Sequence, residues 1–152
     1  MLLLFLAGIS GCVGCNSGNS GNSGGFPALP AGAGAIAKDA PAQFTQTASG
    51  LRYRVLRPGQ GHTPKATDTV TVNYHGWLDD GKVFDSSYER HHPISFALDG
   101  VIKGWTEGMQ LVGEGGMIEL EIPAALGYGP RGQGAIPGGA TLHFLVELQK
   151  IE

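Results

Sequence analysis

The sequence predicts an α+β domain in which an antiparallel β-sheet of about five strands curves around one short α-helix. Several segments alternate apolar and polar residues, which is typical of half-buried strands. A single segment, residues 101–112, instead repeats its apolar residues at intervals of three and four, which indicates one helix. The connections between the strand-like segments are short and rich in turn residues, which favours antiparallel hairpins.

The helix is predicted over residues 101–112, because Ile102, Trp105, Met109 and Val112 then share one face. Four glycines lie in or beside this segment, and each interior glycine costs about 0.5–1 kcal/mol relative to alanine. Such a helix needs a sheet packed against it. Trp105 would then lie between helix and sheet, either as a core residue or as part of a binding site.

The strands are predicted where apolar residues alternate with polar ones. These segments are 51–55, 69–74, 83–87, 94–98, 117–123 and 141–151. In the first of them Arg52 and Arg54 alternate with apolar residues, so both arginines are expected to face water. The residues Asp79-Asp80-Gly81-Lys82 predict a hairpin turn between the second and third segments.

Composition and motifs exclude several classes of function. A chain of 152 residues has room for one ordinary domain, and a net charge of −3 without a basic run argues against a nucleic-acid partner. The metalloprotease, P-loop and nucleophile-elbow motifs do not occur. His91 and His92 predict no metal site, because adjacent side chains point apart and no partner has matching spacing.

Residues 1–15 resemble the end of a secretory signal peptide, although no basic residue precedes the apolar run. Ile9-Ser10-Gly11-Cys12 resembles a bacterial lipobox, and this resemblance implies a lipid anchor on Cys12. Cys15 is a second candidate, and the C-x-x-C spacing also leaves a disulfide or a redox pair open. The favoured interpretation is an exported lipoprotein, periplasmic or associated with the outer membrane.

Residues 16–43 are predicted to form a disordered tether, first rich in Asn, Ser and Gly and then in Pro, Ala and Gly. The Asn-Ser-Gly repeat offers no apolar side chain whose burial would offset the entropy of ordering. As a flexible coil this tether would reach roughly 30 Å. The folded domain is therefore expected over residues 44–152.

Aromatic and aliphatic side chains around the predicted helix form a candidate pocket. They are Tyr74, Phe84, Phe96, Val101, Ile102, Trp105, Tyr128, Ile136 and Phe144. An apolar pocket with a few polar groups is the usual form of a ligand site, and Asp85 and Arg90 would supply such groups. The alternative is that all nine side chains only fill the core. Tyr128 argues against it, because a purely structural aromatic is unnecessary in a glycine-rich loop.

Five sequence blocks resemble the FKBP-type peptidyl-prolyl cis-trans isomerases in order and spacing over about 100 residues. They are Val72-Asn73-Tyr74-His75-Gly76, Asp80-Gly81-Lys82-Val83-Phe84-Asp85-Ser86-Ser87, Val101-Ile102-Lys103-Gly104-Trp105, Leu126-Gly127-Tyr128-Gly129 and Ala140-Thr141-Leu142-His143-Phe144-Leu145-Val146-Glu147-Leu148. The fold that this resemblance implies, an antiparallel sheet curved around one short helix, agrees with the pattern above.

The resemblance also implies roles for individual residues. Trp105, Asp85 and Tyr128 would be the catalytic set, with Trp105 as pocket floor, Asp85 beside the twisting imide and the Tyr128 hydroxyl on a substrate carbonyl. The substrate-binding set would be Tyr74, Phe84, Arg90, Ile94, Phe96, Val101, Ile102, Ile136 and Phe144. Ile94 departs from the family pattern, which often has an aromatic residue there.

The implied reaction is rotation about X-Pro bonds in unfolded or nascent exported polypeptides. No bond is made or broken in this rotation, so no cofactor and no metal are expected. Macrolide inhibitors of the FKBP class are further ligands that the resemblance implies. The alternative function is a non-catalytic chaperone that holds peptides in the same pocket, and a tethered structural protein is a third.

Overall fold

The computed structural model describes residues 25–152, which form one antiparallel sheet and one short α-helix. The elements are β1 (Thr45–Gln46), β2 (Arg52–Arg57), β3 (Thr69–Leu78), β4 (Val83–Ser86), β5 (Ile94–Ala97), α1 (Lys103–Gly108), β6 (Met117–Ile122) and β7 (Leu142–Ile151). The order in the sheet is β1-β2-β6-β7-β3-β4, and β5 also pairs with β3. The predicted α+β fold is confirmed.

The sheet has seven strands in the described part of the chain, compared with about five in the predicted fold. The six strand-like segments of the sequence overlap β2 to β7, and the seventh strand is β1. β1 has only two residues, Thr45 and Gln46, which is too short a segment for an alternation to be recognised. The central pair is β3 and β7, two ten-residue strands that pair from Val70–Ile151 to Leu78–Leu142.

The helix α1 is shorter than the predicted 101–112 and continues as a single 3-10 turn, Met109–Leu111. Ile102 has non-helical backbone angles, so the helix begins after it. The glycines inside the helix face the sheet. A Cβ at Gly104 would lie 2.6 Å from Ile122, and one at Gly108 would lie 2.7 Å from Leu120. Glycine at these positions therefore lets α1 approach β6 closely.

The inner face of the sheet packs against α1 and carries the main core. The alternation predicted for β3, β6 and β7 is confirmed, because their inward residues are all buried: Val70, Val72, Tyr74, Ile118, Leu120, Ile122, Leu142, Phe144, Val146 and Leu148. Trp105, Met109 and Val112 complete this core from the helix and the residues after it.

The outer face of the sheet is covered in part by residues 25–44, which we name the cover segment. Phe26, Ile36 and Ala40 from this segment pack on a second apolar cluster around Leu56 and Leu145. The backbone of the cover segment also contacts the sheet, since the amide of Ala37 donates to the carbonyl of Leu56 over 2.8 Å. Residues 25–43 thus differ from the flexible tether expected for 16–43, because their apolar side chains find a surface to bury.

Arg54 lies beneath the cover segment and binds it. The expectation that Arg54 faces water is therefore wrong. Its side chain is 3% exposed and forms an ion pair with Glu119. Its guanidinium also donates to the carbonyls of Gly25 and Ala42, over 2.8 and 2.6 Å, and lies 4.7 Å from the ring centre of Phe26. Arg52 behaves as expected, with a side chain that is 49% exposed.

Three N-terminal expectations lie outside the described residues: the signal-like segment 1–15, the lipid anchor on Cys12 and the part of the tether over 16–24. Within residues 25–152, no helix combines the length and the apolar character needed to cross a membrane.

Candidate active site

The candidate site is built around the buried indole of Trp105, which α1 presents to the inner face of the sheet. Three rings meet it edge to face, with centroids 5.4 Å away for Tyr74, 5.5 Å for Phe96 and 5.3 Å for Phe144. Phe84 extends the group through an edge-to-face contact of 5.4 Å with Phe144. Each such contact stabilises the pair by about 0.5–1.5 kcal/mol beyond its area, so this aromatic cluster is a rigid frame.

Aliphatic and loop residues border the aromatic cluster. Val101 and Ile102 precede the helix and are 5% and 1% exposed, and Ile136 from the loop before β7 is 3% exposed. Ile94 and Tyr128 are partly buried and pack against the same core. Strand, helix and loop therefore contribute side chains to one apolar environment.

A hydrogen-bonded triad of Asp85, Tyr74 and Arg90 lies beside the aromatic cluster. The Tyr74 hydroxyl donates to one carboxylate oxygen of Asp85, and Arg90 Nη1 donates to the other over 2.6 Å. Arg90 Nη2 closes the ring by donating to the Tyr74 hydroxyl over 2.8 Å. Both carboxylate oxygens of Asp85 thus have protein donors, which orients the carboxylate beside the pocket.

The electrostatics of the site keep the phenol groups of Tyr74 and Tyr128 protonated. Burial is the main reason that the pKa of Tyr74 is raised well above its ordinary value, and the bonded Asp85 raises it further. Burial and the charge of Asp85 raise the pKa of Tyr128 in the same way. Both hydroxyls consequently keep their protons throughout the neutral pH range and can act as hydrogen-bond donors, as that of Tyr74 does toward Asp85.

The indole N–H of Trp105 is a buried donor that has no hydrogen-bond partner among the described residues. A buried donor without a partner costs about 1–3 kcal/mol, and native structures contain few of them. A peptide carbonyl entering the site is one group that could accept this hydrogen bond. The feature therefore favours a ligand site over a purely structural core.

Two further residues shape the aromatic cluster and were missed by sequence reasoning. Gly76 on β3 makes room for two rings, because a Cβ there would lie 2.7 Å from Phe84 and 2.8 Å from Phe144. Ser87 links β4 to β3, since its hydroxyl accepts from the amide of Tyr74 over 2.9 Å and its amide donates to the Tyr74 carbonyl over 2.9 Å. Both lie in the quoted sequence blocks, but only the register shows what they contact.

Thr106 holds the segment that leads into the helix and was also missed. Its hydroxyl donates to the carbonyl of Leu98 and lies 3.4 Å from the carbonyl of Ile102. The first bond ties α1 to the single 3-10 turn Leu98–Gly100, and so fixes the course of Val101 and Ile102 between them. A threonine four residues after Ile102 could have suggested such a bond, because helical threonines often reach the i−4 carbonyl.

The structure brings together all twelve residues that the sequence assigned to the pocket. Ten belong to the main apolar core or pack against it: Tyr74, Phe84, Ile94, Phe96, Val101, Ile102, Trp105, Tyr128, Ile136 and Phe144. The other two, Asp85 and Arg90, join this group through Tyr74.

The comparisons with known proteins agree with this geometry. A relative from Haemophilus influenzae, named as a probable FKBP-type peptidyl-prolyl cis-trans isomerase, is 57% identical over 103 residues, which are 67% of this chain and 43% of that protein. The crystal structure of FkpA from Escherichia coli superposes with a TM-score of 0.70 at 50% identity, covering 72% of this chain and 51% of that one. A peptidyl-prolyl cis-trans isomerase from Pseudomonas syringae gives 0.67 at 38% identity, covering 72% and 80%.

The chain thus spans less than half the length of the Haemophilus relative. The family profile described as FKBP-type peptidyl-prolyl cis-trans isomerase matches residues 60–149, which include all twelve pocket positions. The chain belongs to the family of FKBP-type peptidyl-prolyl cis-trans isomerases.

Proposed function

We propose that this protein accelerates the cis-trans isomerisation of X-Pro bonds in polypeptide clients. The observation that carries the proposal is the buried indole of Trp105, framed by aromatic rings and flanked by the bonded pair Asp85 and Tyr74. A proline ring is compact and apolar, and it would pack on such an indole. Family membership supports the same reaction.

The chemistry of the reaction suits a site without a nucleophile. Rotation about a peptide bond has a barrier of roughly 18–20 kcal/mol, because the amide resonance is lost in the twisted state. Both forms of the imide are solvated less well in a site from which water is excluded than they are in water. The planar imide is the more polar of the two, so it loses more stabilisation than the twisted imide does. Binding that favours the twisted state lowers the barrier.

The polar groups would hold the peptide while its proline rotates. In this mechanism the Tyr128 hydroxyl donates to a substrate carbonyl, and the indole N–H of Trp105 offers a second donor from the pocket floor. The carboxylate of Asp85 faces the redistributed charge of the imide from a position held by Arg90. Asp85 acts here through its charge, and no proton transfer is needed.

The proposal is tested by a protease-coupled isomerisation assay on a proline tetrapeptide with the full chain. Wild-type protein should accelerate the exchange, Asp85→Ala should lower kcat/KM about tenfold or more, and Tyr128→Phe about three- to tenfold, the range expected for one hydrogen bond. Asp99→Ala removes an exposed carboxylate and serves as the matched control. Circular dichroism and urea unfolding establish that each variant is folded.

The outcomes separate the enzyme from the peptide-holding alternative. No acceleration by a folded wild type, together with suppressed aggregation of an unfolded client, would replace the isomerase by a chaperone. Acceleration that neither substitution changes would retain the enzyme but remove Asp85 and Tyr128 from its catalytic set.

We also propose that the chain is exported and anchored to a membrane by lipid on Cys12. The support is the lipobox-like Ile9-Ser10-Gly11-Cys12 in the sequence. Mass spectrometry of the mature protein should find acyl chains on Cys12 in the membrane fraction, and Cys12→Ser should release the protein from it. Recovery of an unlipidated protein cut at another site would refute the anchor.

A macrolide inhibitor of the FKBP class is a proposed ligand of the same pocket. Binding would place an apolar ring on Trp105, so the indole fluorescence should change in a titration and the isomerisation rate should fall in parallel. Ile94→Phe restores the aromatic residue common in the family and should tighten binding. An unchanged rate at saturating macrolide would exclude this ligand.

A further inference from the structure

The strand β5 has a free edge beside the candidate pocket. Among the described residues, β5 pairs with β3 along one side only. A strand edge without a partner presents backbone donors and acceptors that another chain can bind. Which groups this edge presents depends on the hydrogen-bonding phase of the β3–β5 ladder.

The phase follows from one bond at the end of the ladder. The amide of Leu98 donates to the carbonyl of Asp68 over 2.9 Å. These two residues lie opposite each other in the same register as the Val70–Phe96 and Val72–Ile94 pairs, two and four residues further along the ladder. Hydrogen-bonded and non-hydrogen-bonded pairs alternate along an antiparallel ladder. Phe96 and Ile94 therefore bond to β3, whereas Ser95 and Ala97 direct their backbone groups away from it.

Two independent contacts support this phase. The hydroxyls of Thr71 and Ser95 lie 2.7 Å apart, as expected for the closer side chains of a non-hydrogen-bonded pair. The carbonyl of Thr69, opposite Ala97, accepts from the amide of Glu152, so it points toward β7 and away from β5.

The free edge is short and well defined. It presents the N–H and C=O of Ser95 and the N–H of Ala97, and both residues are exposed. Pro93 ends the edge on one side because proline has no amide N–H, and the 3-10 turn Leu98–Gly100 ends it on the other. The edge therefore has room for about three residues of an added strand.

The same strand forms part of the pocket. Phe96 alternates with Ser95 and Ala97 and makes an edge-to-face contact of 5.5 Å with Trp105, and Ile94 packs against the same core. A polypeptide whose proline lies on Trp105 is thus bordered by β5. The edge is continuous with the pocket and offers hydrogen bonds that do not depend on side-chain identity.

We propose that the free edge of β5 binds the backbone of the client polypeptide next to its proline, as a short added strand. This inference rests on the proposed isomerase function and names its substrate more closely, as an extended segment rather than an isolated X-Pro pair. The residue before a proline already prefers extended backbone angles, so little conformational entropy is lost when it joins the edge. Backbone recognition also suits an enzyme that acts on many sequences.

The test compares two substitutions at Ser95 in the full chain. Ser95→Pro removes the outward N–H, and a proline is tolerated at a free edge because the bonds to β3 come from Ile94 and Phe96. Ser95→Ala keeps the N–H and removes only the hydroxyl bonded to Thr71, which makes it the matched control. Rates are measured by NMR exchange on a proline tetrapeptide and on a ten-residue peptide with the same X-Pro pair at its centre.

The wild type should have a higher kcat/KM on the longer peptide, and Ser95→Pro should lower that value about three- to tenfold and the tetrapeptide value by a smaller factor, because the tetrapeptide reaches less of the edge. Ser95→Ala should behave as wild type. An equal loss on both peptides would show a structural effect, and no loss on either would exclude the edge as a docking site.

A second measurement covers the case in which Ser95→Pro does not fold. With wild-type protein, the amides of the longer peptide are N-methylated at odd or at even positions, and only one of these two sets should weaken binding. The amide signals of Ser95 and Ala97 should also shift when the peptide is titrated. Equal effects of methylation at odd and even positions, or unshifted amide signals, would overturn the proposal.

If neither peptide is isomerised, the proposed function fails, and the titration still decides whether the edge binds the peptide. A concentration-dependent dimer that Ser95→Pro abolishes would assign the edge to a second copy instead.

Discussion

The two faces of the sheet are buried by different chemistry. The inner face carries aliphatic and aromatic side chains that pack on α1, and its principal charged groups, Asp85 and Arg90, lie at the margin. The outer face carries three arginine–glutamate pairs, formed by Arg52 with Glu121, Arg54 with Glu119 and Arg57 with Glu147. The first face can be described by hydrophobic burial alone, whereas the second depends on each charge keeping its partner.

The outer pairs differ from one another in exposure, and this determines how much each contributes. Arg52 and Arg54 lie two residues apart on β2, opposite Glu121 and Glu119 on β6. The side chain of Arg52 is 49% exposed and that of Arg54 is 3% exposed, because the cover segment lies over Arg54. Neighbouring pairs of the same chemistry thus permit a direct comparison.

The largest effect is expected for Arg54→Met. Burial raises the pKa of Glu119 and the bond from Arg54 opposes this, so removal of Arg54 leaves a buried carboxyl group without its cation. The free energy of unfolding should fall by about 3–5 kcal/mol, measured by urea denaturation. Arg52→Met should change it by less than about 1 kcal/mol. Equal losses in the two variants would show that the cover segment does not distinguish the pairs.

Gly76→Ala tests the inner face, with a smaller expected effect on stability. The new methyl group would overlap the rings of Phe84 and Phe144, which costs about 1–3 kcal/mol and displaces two walls of the pocket. We expect a loss of isomerase activity that exceeds the loss of folded protein. Gly100→Ala is the control, because a Cβ at Gly100 meets no atom within 4 Å. Full activity in folded Gly76→Ala would mean that Phe84 does not shape the site.

The difference between the faces also explains what could be predicted from the sequence. The inner face follows a period of two in β3, β6 and β7, and burial of every second residue places Tyr74 and Phe144 without further information. The family resemblance then assigned Asp85 and Tyr128, which no periodicity identifies. Both sources refer to the face that packs on α1. The predicted burial of its strand residues is confirmed, whereas the catalytic roles of Asp85 and Tyr128 stay a prediction.

The outer face could not be predicted, because its burial depends on a segment with no regular structure. Arg54 alternates with apolar residues as a surface arginine does, and only the carbonyls of Gly25 and Ala42 show why it is covered. The cover segment itself has the composition of a linker, and its few apolar residues follow no period. Contacts of this kind depend on the tertiary fold.

The smallest expected effect concerns acid pH at Glu147, which joins the sheet to the cover segment. Burial alone would raise the pKa of this carboxyl, but bonds from Tyr88, Arg57 at 2.7 Å and the amide of Gly34 at 3.0 Å outweigh it, so the pKa is lowered. Because the pKa is lower in the folded state, the stabilisation is present above pH 4.5, the ordinary value, and is lost as the pH falls through the folded pKa.

Acidification should therefore loosen the cover segment before the sheet unfolds. The protection factors for hydrogen exchange at Gly34 and its neighbours, taken relative to the intrinsic exchange rate at each pH, should fall below about pH 4.5, while the amides of β3 and β7 stay protected. Glu147→Gln, which keeps the shape of the side chain but cannot titrate, should show protection factors in the cover segment that no longer fall at acid pH. Glu89→Gln, at an exposed position, should behave as wild type. If the cover segment and the central strands instead lose protection together, the cover segment is part of the same cooperative unit as the pocket, and the two faces fold as one.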